Sequence, residues 1–504
     1  MDADGSFDRV STSDQVLLPR AASADAVGVP ASSVLALLDS LDAEGIELHS
    51  LMIVRHGQVA AEGWWTPYEP GRPHLLYSLS KSFTSTAVGF AIAEGRFRLD
   101  DTIVSLLPDH VPDDVHPAVA GLTVHHVLSM STGHAADTLE RAYTLEPDDL
   151  VKGFLRVPPE EPVGSRHVYN NTCTYVLAML VQELTGEHLL DYLRPRLLDP
   201  LGIGPAHWDS DKHGNAFGFS GLHVTTEAIA AFGQLLLQRG SWQGRQLLPD
   251  GWVELATRKH IDTDLDRNRS VDWRQGYGYQ YWMARHGFRG DGAFGQFCVV
   301  VPESDLVVAT TACTEDLQGI LTAVWDVLLP ALDPTDNGLP HGMSEERQAQ
   351  QELDRRLTSL ALPVVGGETR GTSSDDTFVM EHADGEAPFP TGTTVRVMAD
   401  GDSAWTVSIG MGERSMTFGC GHDSWLETVL APVRGVTDRD AGSDPDGGTA
   451  VLARGGWTTP DTFEADLVPI ELPHRIRLSC TGGRATARWN FVPLGGARLG
   501  RHLH

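Results

Sequence analysis

A chain of 504 residues with a formal net charge of −30 has the length for about two to four domains, and it repels nucleic-acid backbones and anionic membrane surfaces. No stretch approaches the roughly 18 apolar residues of a membrane span. The acidic opening MDADGSFDRVSTSDQV has neither the basic nor the apolar segment of a secretory signal, so a cytoplasmic location is the expectation. The five scattered cysteines (Cys173, Cys298, Cys313, Cys420, Cys480) lack CxxC spacing and read as reduced, buried side chains.

In chain order, residues 1–28 read as a flexible segment. The spacing predicts a helix over about 30–43, closed near Gly45. LHSLMIVRHGQVAAEGWW reads as a hairpin turning at Arg55-His56-Gly57. LLYSLSKSFTSTAVGFAIAEG gives a helix over about 78–94 stopped by Gly95. Further helices are expected at about 172–185, closed by Gly186, and before Gly240. Strands return at QGYGYQYWMAR, QFCVVVPE and DLVVATTA, and a helix at about 315–329 ends the block. Strands from both ends of the block, with helices between, predict an antiparallel sheet packed by helices with a long helical insertion.

Residues 330–343 are rich in Pro, Gly and Asp and read as a linker, followed by a polar connecting helix. From about 361 the pattern turns to strands. One hairpin pivots on Asp400-Gly401. Another pivots on Gly482-Gly483, with Ile476, Leu478 and Cys480 facing Ala485, Ala487, Trp489 and Phe491. A separate all-β domain, a small barrel, is expected. The divisions are 1–28, 29–332, 333–360 and 361–504.

Only four of the 38 basic residues are lysine, and one of them, Lys81, heads an otherwise uncharged helix. Ser78 lies three residues earlier, on the same helical face. At a helix N-terminus a serine can be activated by a desolvated lysine of lowered pKa. Tyr169-x-Asn171 precedes a second apolar helix. There a phenol can shuttle a proton and an amide can bind a substrate carbonyl and the lysine. Read singly, each motif also fits a capping serine with a snorkelling lysine, or a packed aromatic with an N-cap Asn.

Together, S-x-x-K and Y-x-N about 90 residues apart resemble the serine β-lactamase and penicillin-binding-protein superfamily. They are most similar to its class C β-lactamase, D-alanyl-D-alanine carboxypeptidase and esterase branch. The stretches MIVRHGQVAAEGWW, LTVHHVLSMSTGH and GAFGQFCVVVPESDLVV share the resemblance, which covers about 300 residues. It implies an α/β (α+β) fold: a β-lactamase-like antiparallel sheet flanked by helices with a large helical insertion. The C-terminal part looks similar to the lipocalin-like small barrels appended to some members. By the same resemblance Ser78 is the nucleophile, Lys81 its base, Tyr169 the proton shuttle and Asn171 a substrate-binding residue. The third motif, usually K-T-G or H-x-G, aligns with Gly290-Asp291-Gly292 and lacks its cation. Arg289 and His286 are the candidates to replace it. Backbone N–H groups of Ser78 and Ala293 are the expected oxyanion hole.

GDGAFG precedes a strand rather than a helix, so it is no dinucleotide loop. DTDLDRN lacks the Gly and Glu of a calcium loop, and His125, His126 and His134 lack ligand spacing. No metal or organic cofactor is implied. The expectation is a serine hydrolase acting on a small ester, amide or peptide through a Ser78 acyl-enzyme. An acyltransferase using the same intermediate and a non-catalytic binding protein are the alternatives. The expected partner is the small-molecule substrate, without nucleic acid or membrane, and self-association through the C-terminal domain stays open.

Overall fold

The structure is a computed structural model that describes residues 17–265, 268–332, 343–365, 375–381, 386–401, 403–412, 414–430 and 448–495. The expected flexible opening up to residue 16, the linker at 333–342 and part of the acidic loop at 262–268 lie outside the described residues.

The first helix, α1 (Ala31–Ala43), is followed by the hairpin β1 (Leu48–Arg55) and β2 (Gln58–Trp64). His56 and Gly57 both take positive φ at its turn. The helices α2 (Ser80–Ala93), α3 (Asn171–Thr185) and α4 (Thr226–Leu237) follow. The chain then returns as β3 (Trp282–Met283), β4 (Phe288–Gly292), β5 (Gln296–Val301) and β6 (Leu306–Ala312). These six strands form one sheet in the order β2-β1-β6-β5-β4-β3, and every pair is antiparallel. β5 and β6 are buried along their whole lengths because helices cover both faces. On one face α4 presses so close that a Cβ at Gly233 would meet Val307 and Cys298. On the other, α1 packs in a second apolar cluster with Phe297, Val299, Val308 and Trp325.

Two expectations need correction. Residues 17–28, read as loosely attached, are packed. Leu18, Ala24 and Val27 are buried, and Arg20 ion-pairs with Glu62 at 2.7 Å and with Glu227. QGYGYQYWMAR forms a strand only at Trp282–Met283. Gln280 takes φ +67 there and spends its side chain on Thr174 Oγ1 (2.6 Å) and the Leu128 carbonyl (2.7 Å). The segment thus bends away from the sheet to meet α3.

The helix α5 (Met343–Thr358) lies against α1 through buried Leu353, with Arg356 bonded to Asp42. Beyond it, among the described residues, nine strands between Asp375 and Trp489 form a barrel, and pairing of Gly421 with Arg454 closes it. The Gly482-Gly483 hairpin has the expected register: Ile476 opposes Trp489, Leu478 opposes Ala487, and Cys480 opposes Ala485. The barrel core holds Trp405, Phe418, Phe463 and Leu478, all buried. All five cysteines are free thiols and buried. Among the described residues no helix is long and apolar enough to cross a membrane.

Candidate active site

α2 is buried along nearly its whole length, which explains its small and hydroxylated sequence. A buried hydroxyl must find a partner, and here the partners are the irregular loops around the helix. Ser82 Oγ donates to the Gln280 carbonyl (3.0 Å), Thr84 Oγ1 to the Gly218 carbonyl (2.8 Å), and Ser85 Oγ to the Tyr279 carbonyl (2.7 Å). Ser80 Oγ accepts from Leu222 N at 3.1 Å. The helix thereby holds the loops that face Ser78.

A single 3-10 turn, Tyr77–Leu79, leads into α2. Tyr77 is left-handed at φ +47, a costly conformation for an aromatic residue, and it presents Ser78 half-buried beside the helix start. Its phenol is tied at 2.6 Å to His474 Nε2, a residue of the barrel domain.

Lys81 is 1 % exposed. Its ammonium donates to Ser78 Oγ at 2.9 Å, Asn171 Oδ1 at 2.8 Å and the Phe219 carbonyl at 2.8 Å. Burial lowers its pKa to about 7, with Asp137 and Asp291 acting in the opposite direction. The expected set is therefore assembled. Ser78 and Lys81 touch, Asn171 orients the lysine, and the Tyr169 ring lies 4.8 Å from Lys81 Nζ. Burial holds the Tyr169 phenol protonated, well above the usual value, with Ser78 acting in the opposite direction. Tyr169 stacks on Trp282, with ring centroids 5.6 Å apart.

Asp137 was not singled out in the sequence. It accepts from Asn171 Nδ2 at 2.7 Å and from Asn171 N at 3.1 Å, so it fixes the amide with its oxygen toward Lys81. The Phe219 carbonyl was missed as well, since any residue supplies a backbone oxygen. The flanking stretch STGHAAD carries Asp137, but without helical or strand periodicity to mark it.

The third motif lies on β4. Gly290 and Gly292 turn their missing side chains toward the Ser78 segment. A Cβ at Gly290 would strike Leu79 and Ser82, and one at Gly292 would strike the Leu76 carbonyl. Their lack of a side chain lets the strand pass against the Ser78 turn and brings Ala293 beside it. Asp291 faces the other way, is 9 % exposed, and contacts Arg289 at 3.0 Å. Burial raises its pKa, and Arg289 opposes the shift.

Neither candidate replaces the missing cation. Arg289 is fully buried and its guanidinium serves Asp291, the Asp272 carbonyl (3.1 Å), the Met283 carbonyl (3.2 Å) and the Trp273 ring. His286 stands exposed in the turn between β3 and β4, against Trp325. Arg289 follows strand alternation onto the Asp291 face, but its length lets it fold inward.

The chain belongs to the Beta-lactamase family, whose model matches residues 36–319. It is 26% identical over 289 residues to the 6-aminohexanoate-dimer hydrolase of Paenarthrobacter ureafaciens, covering 53% of this chain and 73% of that protein. It is 26% identical over 273 residues to penicillin-binding protein 4 of Amycolatopsis lactamdurans, covering 46% and 70%. Among solved structures, the octameric penicillin-binding protein homologue of Pyrococcus abyssi aligns over 91% of this chain and 99% of its own. It does so at 14% identity and a TM-score of 0.48.

Proposed function

We propose that the protein is a serine hydrolase that acylates Ser78 with a small ester or amide, in the manner of the esterase and amidase members of its family. The observation that carries this reading is the Lys81 ammonium, buried and within 2.9 Å of Ser78 Oγ. At its lowered pKa of about 7 a large fraction is neutral at physiological pH and able to take the serine proton. Tyr169, held protonated, then delivers its proton to the leaving group and regains one from the Lys81 ammonium, which carries the serine proton. The N–H groups of Ser78 and Ala293 receive the oxyanion, and Asn171 positions the substrate carbonyl. Water releases the acyl group. Residues 29–332 carry this reaction, with the barrel as its accessory.

The cleft argues for a substrate without a carboxylate at the third-motif position. The aligned residue there is Gly290, and the nearby Arg289 is spent internally on Asp291. β-Lactams and carboxy-terminal peptides are therefore poor candidates, and neutral esters or amides are favoured.

Intact-protein mass spectrometry tests the reading. The protein is exposed briefly to an activated ester and, separately, to a fluorescent penicillin, with Ser78→Ala as control. A Ser78-dependent acyl adduct or turnover with the ester, and little with the penicillin, is the expected result. Failure to react with any acyl donor or with a serine-directed fluorophosphonate would leave a binding protein on a hydrolase fold.

A further inference from the structure

We propose that His207, Asp209 and His223 form a divalent-cation site of the zinc class, braced by Glu471 from the barrel, that fastens the barrel to the segment leading into the active site. The inference does not rest on the catalytic reading.

The three residues come from a small sheet beside the nucleophile turn. Its strands, in order, are His74–Leu75, Leu222–Val224 and His207–Trp208. His207 pairs directly with His223. In an antiparallel pair, opposite residues project to the same side, and here the two imidazoles stack with centroids 4.0 Å apart. Asp209 follows two residues after His207 and so returns to the same side. One ligand atom from each of the three lies within 4.8 Å of the others. From the opposite side the barrel supplies Glu471, whose Oε2 is 3.3 Å from His207 Nε2 and 3.7 Å from His223 Nδ1.

The protein does not satisfy these atoms by itself. His207 Nε2, both ring nitrogens of His223 and Asp209 Oδ1 are buried without a hydrogen-bond partner. His223 is 1 % exposed. A buried, unpaired polar atom is costly, and four such atoms on one spot call for a common partner. A cation placed among them resolves the arrangement. His223 Nε2 stands 3.4 Å from Asp209 Oδ1. That matches the spacing of about 3.4 Å between two ligands held tetrahedrally on a metal at about 2.0–2.1 Å. With Nε2 on the metal, His223 Nδ1–H points to Glu471, the usual outer carboxylate of a metal-bound histidine. Two imidazoles and a carboxylate suit zinc better than calcium or magnesium, which favour all-oxygen sites.

The consequence is mechanical. Residue 223 lies four positions after Phe219, whose carbonyl holds Lys81. Glu471 also accepts Leu75 N through its backbone oxygen at 2.8 Å, three residues before Ser78. An ion here would lock the barrel loop onto both segments. His207 and His223 stand 16 residues apart in sequence, too far for a compact motif, and only the pairing of two short strands joins them.

The test uses the full chain without an affinity tag, stripped by chelator dialysis and titrated with Co(II) and with Zn(II). The readouts are the Co(II) visible spectrum, metal content by plasma mass spectrometry, and Tm. The expected result is one equivalent per chain with intense tetrahedral-type Co(II) bands, and a Tm that rises with zinc. His207→Ala, at a ring that is partly exposed, and Asp209→Asn should lose stoichiometric binding. Glu471→Gln should weaken it by about 10–100-fold. Wild-type protein that binds neither ion above background would overturn the proposal, whether or not the variants fold. Folded His207→Ala and Asp209→Asn proteins that bind like wild type would also overturn it.

Discussion

At the scale of single residues, the protonation of Lys81 governs the proposed chemistry. Its folded-state pKa is lowered from 10.5 to about 7. In the proposed mechanism the neutral amine is the base, so the acylation rate should rise with pH through about 7 and level off above it. The same shift affects stability. Between about pH 7 and 10.5 the unfolded chain holds a proton that the folded chain has lost, so stability should increase with pH across that window. The full cost of burying the ammonium is felt below about pH 7. Tm measured at pH 6 and at pH 9 checks this, and in Lys81→Met the dependence should flatten. Tyr169→Phe should lower kcat by about 10²–10⁴-fold with little change in fold, by circular dichroism and steady-state kinetics. Ser78, Lys81, Tyr169 and Asn171 were legible in the sequence because their chemistry depends on side-chain type at fixed spacing. Asp137 was not, since a loop carboxylate becomes informative only once the fold sets it against Asn171.

At the scale of elements, backbone proximity decides the site. β4 touches the Ser78 turn because Gly290 and Gly292 leave room. Gly292→Ala should drive a methyl into the Leu76 carbonyl, shift Ala293 away from the oxyanion position, and destabilise by about 1–3 kcal/mol. Urea unfolding and kcat should both register it. Helix boundaries were readable because glycines end them. Gly186 takes φ +75 directly after α3, and Gly95 takes φ +74 just beyond α2. QGYGYQYWMAR was misread because alternating tyrosines mimic a strand. In the structure the three tyrosines are buried, and Gln280 diverts the backbone into the helical half. The third motif could be aligned, but not which way its side chains face. That depends on Arg289 folding back onto Asp291, a tertiary choice.

For the whole molecule, the barrel is more than an appendage. Its loop at 471–475 accepts Leu75 N, bonds Tyr77 through His474, and sends Arg475 to Glu47 at 2.6 Å. Leu472 and Phe491 join Leu75, Tyr77 and Phe294 in one apolar cluster at the edge of the site. Tyr77→Phe removes the bond to His474 and leaves a buried ring nitrogen unpaired, a cost of about 1–3 kcal/mol. The variant should lose kcat more than KM, because the strained Tyr77 backbone sets the pose of Ser78. Equal kinetics in this variant would mean that the barrel holds the site only loosely. The barrel hairpins were legible from alternation and glycine turns. Their docking was not, because residues some 400 positions apart meet only in the folded chain.

The central claim is that a buried, partly neutral Lys81 activates Ser78. The most direct test is the single-turnover acylation rate with an activated ester from pH 5 to 9, in wild type and Lys81→Met. The wild-type rate should climb through a single ionisation near pH 7, and the variant should be about 10²–10⁴-fold slower without that ionisation. A wild-type rate independent of pH, or a Lys81→Met protein that acylates as fast, would contradict the claim.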